Sequence, residues 1–583
     1  MSDPRESATF VDLLRQRAAA RPDHVVYTYL TDGDEREERL TYAELDRRAR
    51  AIAAHLQGRA GPGDRVLLIF QSDLQFVTSF FGCLYAGAVA VPGYPPRFHQ
   101  NLPDQNLARL SAMLGDCQPA VMLTTEAIRT RMEGMLPALP QFHGLPVIAT
   151  DALERAEPGP WSPPALDAGT LAFLQYTSGS TGDPKGVQIT HGNLMHNEGQ
   201  IERAFGLGTS SVVVGWLPLH HDMGLIGMLL QPLYDGGTCV FLSAGHFLQR
   251  PLRWMRAVSR YRGTITQGPD FGYRLLARPW KPEELAGLDL SSLTATLNGA
   301  EPVRADTLRD FAAVFAPHGF DAQSFFPCYG MAEATLLVSG AHGKRTPTLK
   351  HVSAPALLED RVVDAPEGAP DARALVGCGL PCPDIDVAIV DPVTLRRAGP
   401  GRVGEIWFAG PNVSAGYWNK EALNAEQFRA HTASGEGPYY RSGDLGFLED
   451  GMLFINGRLK DLIIIEGRNH YPQDIERTVE VAYGTFQAGG AAAFSMEYDG
   501  IERLVVVQEL ERRVREVDAV EAGLAVRRAV SAAHEIVPRE VVFLKAGGLP
   551  KTSSGKVQRR ACKLALRKGE LQILGRVSYA EGA

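Results

Sequence analysis

The sequence predicts an α/β protein built from several units, and three observations carry that prediction. Strand-like apolar runs alternate with amphipathic helical stretches, the pattern of units with mostly parallel strand pairing. The chain has 583 residues, several times the roughly 150 residues of an average domain. The stretch Thr177–Val187, TSGSTGDPKGV, reads with its apolar flanks as strand, flexible turn, strand. Hydrophobic residues make up 45% and charged residues 22%, ordinary for a soluble globular protein. A net charge of −8 argues against a nucleic-acid binder held by electrostatics.

Taken in order, residues 9–56 read as amphipathic helices around a short strand pair. Phe10, Leu13 and Leu14 mark a first helix, Val25–Leu30 a strand and Tyr42–Leu56 a second helix. Val66–Phe70, Val121–Thr124 and Val147–Ala149 read as further strands, with a helix over Asn106–Leu114. Leu74–Pro96 carries no charge and is long enough to span a bilayer. Its interspersed polar residues and the glycines at 82, 87 and 93 predict something else. We expect a buried helix over about 74–86 that turns at Gly87 into a core strand, Ala88–Val91. Glu157–Pro164, EPGPWSPP, reads as a linker. The N-terminus lacks the basic start and apolar core of a secretory signal. Seven scattered cysteines, of which only Cys378 and Cys382 are close, suggest reduced thiols in the cytoplasm.

The glycine-rich turn is the strongest local signal. Gly179 and Gly182 let the backbone bend inward where a side chain would obstruct. Exposed amides and the hydroxyls of Thr177, Ser178, Ser180 and Thr181 could then wrap a polyphosphate, with Lys185 as a mobile positive charge. A plain Ser/Gly surface loop is the alternative. It is not a Walker A loop, because Pro184 occupies the place of the glycine before the lysine.

Further on, Val212–Leu217 reads as a strand running into Pro218-Leu219-His220-His221-Asp222. Adjacent residues of an extended chain face opposite ways, which argues against a paired-histidine metal site and for one inward histidine on a pocket wall. Residues 225–234 and Phe271 could line that pocket or simply be core. Asn298–Pro302 follows a strand-like run, and Cys328–Thr335 places Tyr329 beside Gly330 and a carboxylate, Glu333, nearby. An aromatic next to glycine can stack on a base, and a carboxylate near phosphates can hold Mg²⁺. The later blocks are Tyr440–Gly446, Gly457–Asp461 and Leu549–Lys556. Asp444 suits two ribose hydroxyls, and Lys556 in a Gly/Ser turn can swing toward a distant anion.

With these blocks assembled, the chain resembles the adenylate-forming superfamily of acyl-CoA synthetases, luciferases and nonribosomal adenylation domains. Within it, the chain looks like a fatty acyl-AMP ligase. YGMAEATLLVSG (329–340), GRNHYPQDIE (467–476) and the long segment between them favour that subgroup. The resemblance implies a large N-terminal domain of several subdomains, 1–459, and a small mobile α+β lid, 460–583, carrying Lys556. It places an insertion at about 342–374. It implies that Thr177, Ser178, Gly179, Ser180, Thr181, Gly182 and Lys185 contact the phosphates of ATP, with Thr181 and Glu333 on Mg²⁺. Tyr329 would stack on the adenine, beside the backbone of Gly299, Ala300 and Glu301, with Gly330, Met331 and Ala332 also at the nucleotide and Ala332 near the α-phosphate. Asp444 and Arg458 would fix the ribose, and His221 would wall the acyl carboxylate. Lys556 would bridge carboxylate and α-phosphate, with Lys460 as the hinge. Ala332 stands where acyl-CoA ligases usually carry threonine, which fits the acyl-AMP subgroup.

The implied reaction joins a medium- or long-chain fatty acid to AMP with loss of pyrophosphate. The acyl group then passes to the phosphopantetheine thiol of an acyl carrier protein, as in polyketide, nonribosomal peptide or lipid biosynthesis. Only 27 residues follow Lys556, so the carrier is expected on a separate chain. The alternatives are an acyl-CoA synthetase, a non-catalytic sensor on a retired fold, and an amino-acid adenylation domain. The last lacks an evident acidic partner for an α-amino group.

Overall fold

The computed structural model describes residues 6–94, 105–133, 142–153, 159–177, 184–340, 346–465, 468–498, 501–552 and 555–579. Two largely parallel sheets form the body. In the first, six strands run in the order Val147–Ala149, Val121–Thr124, Arg65–Ile69, Val89–Gly93, Leu171–Thr177, Lys185–Thr190. The last two pair antiparallel, and the glycine-rich stretch lies between them in the sequence. The sequence explains the burial of the central strand. In Arg65–Ile69, Val66 and Leu68 face one core cluster while Leu67 and Ile69 face another, all four fully buried. A strand covered on both faces needs such an unbroken apolar run.

The uncharged window behaves as its pattern predicts. Leu74–Ala86 is a buried helix, capped at its start by Asp73, which accepts from the Phe76 amide. Gly87, in the left-handed region at φ 73°, ends it, and Val89–Gly93 follows as a strand. Among the described residues no helix is long and apolar enough to cross a membrane.

The second sheet has seven strands in the order Phe325–Pro327, Ala295–Asn298, Ile265–Gly268, Val212–Gly215, Thr238–Leu242, Val25–Leu30, Glu37–Thr41. All pairs are parallel except the last. The expected strand Val212–Leu217 stops at Gly215. There Trp216 leaves the sheet to stack on Phe247 with ring centroids 3.9 Å apart. The apolar run expected at 225–234 forms a π-helix, Met223–Leu230, and a short α-helix, Gln231–Asp235. π-helical turns are rare and concentrate at functional sites.

A four-stranded antiparallel sheet, Asp386–Val390, Gly404–Ala409, Tyr440–Glu449 and Met452–Arg458, leads to the smaller C-terminal domain. That domain has its own four-stranded sheet, Phe486–Tyr498, Ile501–Leu510, Pro538–Leu544 and Ile573–Ser578. Its two faces bury separate apolar clusters, one under helices Pro472–Glu480 and Ala519–His534 and one under Arg559–Lys568.

The segment 346–374 is an ordered substructure. Leu349–Ser353 pairs antiparallel with Ala372–Val376, and a short helix, Ala354–Leu357, lies between. Val352, Leu357 and Leu375 are buried against Leu445, Phe447, Phe454 and Tyr471. Arg373 pairs with Asp474 at 3.0 Å, and the Asn469 side chain donates to Asp360 at 3.1 Å. The segment therefore touches residues on both sides of position 460.

Candidate active site

The strands of the seven-stranded sheet end in loops that wall one large cleft, as expected at the carboxyl edge of a parallel sheet. Its volume is about 1920 Å³. Thr177, Lys185, His221, Ala300 and Glu301 line it, as does the run Tyr329–Glu333. Asp444, Arg458, Lys460 and Lys556 line it from the later segments. Gly299 is not on its surface. A Cβ there would come within 2.8 Å of Cys328 Sγ, so this glycine lets two loops pack together. Ser178, Gly179, Ser180, Thr181, Gly182 and Asp183 lie outside the described residues.

The loop 328–336 is shaped by close packing. A Cβ on Gly330 would fall 1.7 Å from the Leu336 carbonyl oxygen, so no other residue fits. Thr335 sits at φ 66°, a left-handed conformation that is costly for a β-branched residue. Its hydroxyl donates to the Asn412 carbonyl at 2.7 Å, and the Asn412 amide donates back to Ala334 and Leu337. This clamp holds the loop that carries Tyr329 and Glu333. The Tyr329 hydroxyl donates to Asp444 at 2.8 Å, and Arg458 Nε donates to the other Asp444 oxygen at 2.9 Å.

Glu333 sits deeper. Burial raises its pKa above the usual carboxylate value, with the Tyr417 hydroxyl and the positive charges of Lys185 and Arg458 pulling it back. The Tyr417 hydroxyl donates to Glu333 at 2.7 Å, and the Lys185 ammonium stands 4.8 Å over the Tyr417 ring.

The histidine pair corrects one expectation. Residues 216–221 form no strand, so the two rings do not face opposite ways. Their centroids lie 5.1 Å apart, and both pack near Tyr94. Even so, only His221 reaches the cleft. Burial first, then His220, Lys556 and Arg109, hold His221 well below its ordinary pKa. It is neutral at pH 7.

The C-terminal domain closes over this wall. Gly555, at φ 86°, lies against the Phe271 ring, where a Cβ would sit 3.0 Å away. Arg109 donates to Gln558 at 2.8 Å, and Arg274 and Arg477 pair with Glu480 and Asp306 at 3.2 and 2.6 Å. Lys556 feels Asp222, Glu301 and Asp444 as attractive charges and Arg458 as a repulsive one, while burial lowers its pKa. A lysine from one domain is thus delivered among acidic groups of the other.

Comparison with known proteins decides the family. The profile of the AMP-binding enzyme family matches residues 14–418. This chain belongs to the AMP-binding enzyme family. A second profile, the Disco-interacting protein 2-like AMP domain, matches residues 460–575. The chain is 44% identical over 580 residues to the medium-chain-fatty-acid–[acyl-carrier-protein] ligase JamA of Moorena producens (strain JHB). That match covers 98% of this chain and 97% of the relative. It is 36% identical to the long-chain-fatty-acid–AMP ligase FadD32 of Mycobacterium marinum (strain ATCC BAA-535 / M), covering 97% and 95%. A fatty acyl-adenylate ligase of Legionella pneumophila, solved with acyl adenylate and pyrophosphate, has a TM-score of 0.76. It is 36% identical, with 99% of each chain covered.

For an AMP-binding enzyme, the cleft also contains residues that sequence reading missed. Tyr417 and Tyr440, with hydroxyls 3.2 Å apart, form the polar floor under Glu333. Gln175 donates to the His220 carbonyl at 2.8 Å and holds the histidine turn. The only sequence signal for Tyr417 was its place in a Gly-Tyr-Trp turn, which says nothing about a partner 84 positions away. One part of the cleft wall is apolar. Ile201 and Phe205 from the helix His191–Phe205, Met223 and Gly227 from the π-helix, and Leu336 and Leu337 form a branch suited to a hydrocarbon chain.

Proposed function

We propose that this AMP-binding enzyme activates a medium- or long-chain fatty acid. ATP and the acid would give an acyl-adenylate and pyrophosphate, and the acyl group would then pass to the phosphopantetheine thiol of an acyl carrier protein on a separate chain. The observation that carries the proposal is one cleft shared by an apolar branch, the Tyr329–Asp444–Arg458 cluster and the ammonium of Lys556. The named relatives act on fatty acids with AMP or acyl carrier protein as the other partner, which favours this reading over an acyl-CoA synthetase.

In the proposed mechanism the reacting groups are both anions, so the protein's task is to cancel charge while holding them in line. Lys556 donates to the carboxylate and to an α-phosphate oxygen. His221, neutral, walls the carboxylate without adding charge. Tyr329 offers a ring face to adenine, and Asp444, oriented by Arg458, accepts from the ribose hydroxyls. No base is required, because a fatty acid is already ionised at pH 7. The hydroxyls and amides of Thr177–Gly182, with Lys185, would hold the departing phosphates.

Glu333 suits a magnesium ion. It is a buried carboxylate disfavoured as an isolated charge, and a cation would relieve that cost. Among the described residues no group of three or more His, Cys, Asp or Glu could hold a metal. That fits Mg²⁺, which takes one or two protein carboxylates and leaves the rest to phosphate and water. Glu333, with Thr181, would hold the ion, which supplies charge neutralisation at the phosphates when bound.

We place the domain boundary at 459/460 with Lys460 as the hinge, and the site of action in the cytoplasm. The deciding experiment offers CoA and a phosphopantetheinylated carrier side by side with ATP and dodecanoate. The proposal expects acyl-carrier and negligible acyl-CoA. A predominance of acyl-CoA would make this an acyl-CoA synthetase instead.

A further inference from the structure

The apolar branch of the cleft contains a buried polar side chain whose amide nitrogen has nothing to bind among the described residues. Gln267 stands near the end of the parallel strand Ile265–Gly268. It lines the cleft and is only 2% exposed. Its Nε2 has no hydrogen-bond partner. Leu297 stands beside it on the neighbouring parallel strand, and Leu336 Cδ2 packs at the same point of the π-helix as its amide.

The space for this amide is made by a second residue. Gly227, on the π-helix Met223–Leu230, faces it. A Cβ at 227 would stand 2.7 Å from Gln267 Oε1 and 3.3 Å from Nε2. Alanine would therefore push the amide aside, whereas glycine leaves it room. Gly227 lies a full helical turn beyond His221 and Asp222 in the chain, on the element that leads from the carboxylate wall into the apolar branch.

A buried donor without a partner is a penalty that leucine or methionine, of similar size, would not incur. An amide held in an apolar channel is instead suited to a ligand that brings its own polar atom. We propose that Gln267 is a recognition point inside the acyl channel and that it reads a hydroxyl on the fatty chain. Nε2 donates to the hydroxyl oxygen, and the hydroxyl can donate to Oε1. The preferred substrate is then a hydroxylated fatty acid rather than a plain alkanoate. This inference deepens the fatty-acid reading above and rests on it. A channel built to bind a hydroxyl rejects the analogue lacking it more strongly than an apolar channel rejects an extra hydroxyl.

The test measures pyrophosphate release by the wild-type enzyme with dodecanoate and with the monohydroxydodecanoates carrying the hydroxyl at each position along the chain. We expect one position, or two neighbouring ones, to exceed dodecanoate in kcat/KM by at least about tenfold. Gln267→Leu should bring that ratio to about one, and Gln267→Met should do the same if the leucine variant does not fold. The inference is overturned if no hydroxylated isomer outperforms dodecanoate, or if the preference survives both substitutions. Turnover of dodecanoate with flat ratios sinks this inference alone. No pyrophosphate from any fatty acid sinks it together with the reading on which it rests.

Discussion

Lys556 shows how much one side chain can be asked to do. It is held by a turn in which the Thr552 hydroxyl accepts from its amide at 3.0 Å, and its ammonium is set among carboxylates across the cleft. Lys556→Ala should lower adenylation at least about 100-fold, or about 3 kcal/mol, the scale of losing one placed charge stabiliser. Pyrophosphate release by the purified variant checks this. Burial lowers the folded pKa of Lys556 below 10.5, and in the proposed mechanism the protonated form is the working one. The rate should therefore fall on the alkaline side before an ordinary lysine would titrate. Lys556→Arg, charged throughout, should show a low rate without that limb.

His191 gives a pH prediction for stability. Its Nδ1 accepts from the Phe10 amide at 3.4 Å, tying the first helix to the body, and burial lowers its pKa from 6.5 to about 4. A histidine depressed in the folded state stabilises above its unfolded pKa, and that stability drains away as pH falls. The loss should run from about pH 6.5 to pH 4 and approach ~3 kcal/mol. Urea unfolding across that range would show it as a slope, and His191→Asn should flatten that slope.

At the scale of elements, local patterns were legible where local forces decide. The helix 74–86 and its stop at Gly87 follow from an apolar run bounded by a capping aspartate and a glycine free to turn left-handed. Residues from separate motif blocks, among them Lys185, Tyr329, Asp444, Arg458 and Lys556, line one cleft, and each block stood out in the sequence by its own chemistry. What stayed hidden depends on distant packing. Tyr417 on Glu333, Arg109 on Gln558 and the unpaired Gln267 are set by elements far apart in sequence, and no periodicity reports them. The histidine turn was misread because a strand was extended two residues too far. Trp216 prefers its stack on Phe247 to a place in the sheet.

The segment 346–374 belongs to this scale as well. Its buried contact with Tyr471 and its ion pair to Asp474 tie it to the first helix beyond position 460. We predict that it restrains the rotation needed to build a CoA-competent site. Deleting residues 342–374 should then raise acyl-CoA formation above the background of the parent enzyme. A folded deletion variant with unchanged, negligible acyl-CoA would show that the segment is not the sole cause.

At the scale of the whole molecule, part of the contact between the C-terminal segment and the body is made by ion pairs on the rim of the cleft. Ion pairs on the rim, such as Arg477 with Asp306, are worth only about 0–1 kcal/mol each. Such a closure can be reversed once a reaction changes the charge in the cleft, as a second step at the same site requires. The fold thus divides the labour. In the proposed mechanism the two parallel sheets would fix the nucleotide and acyl walls, and a small domain with its own core would carry Lys556 in and out. The most direct measurement combines the protein with ATP, magnesium and dodecanoate, and follows the products by mass spectrometry. The account predicts dodecanoyl-AMP and pyrophosphate in equal amounts, whereas ADP and phosphate, or no adenylate at any pH, would contradict it.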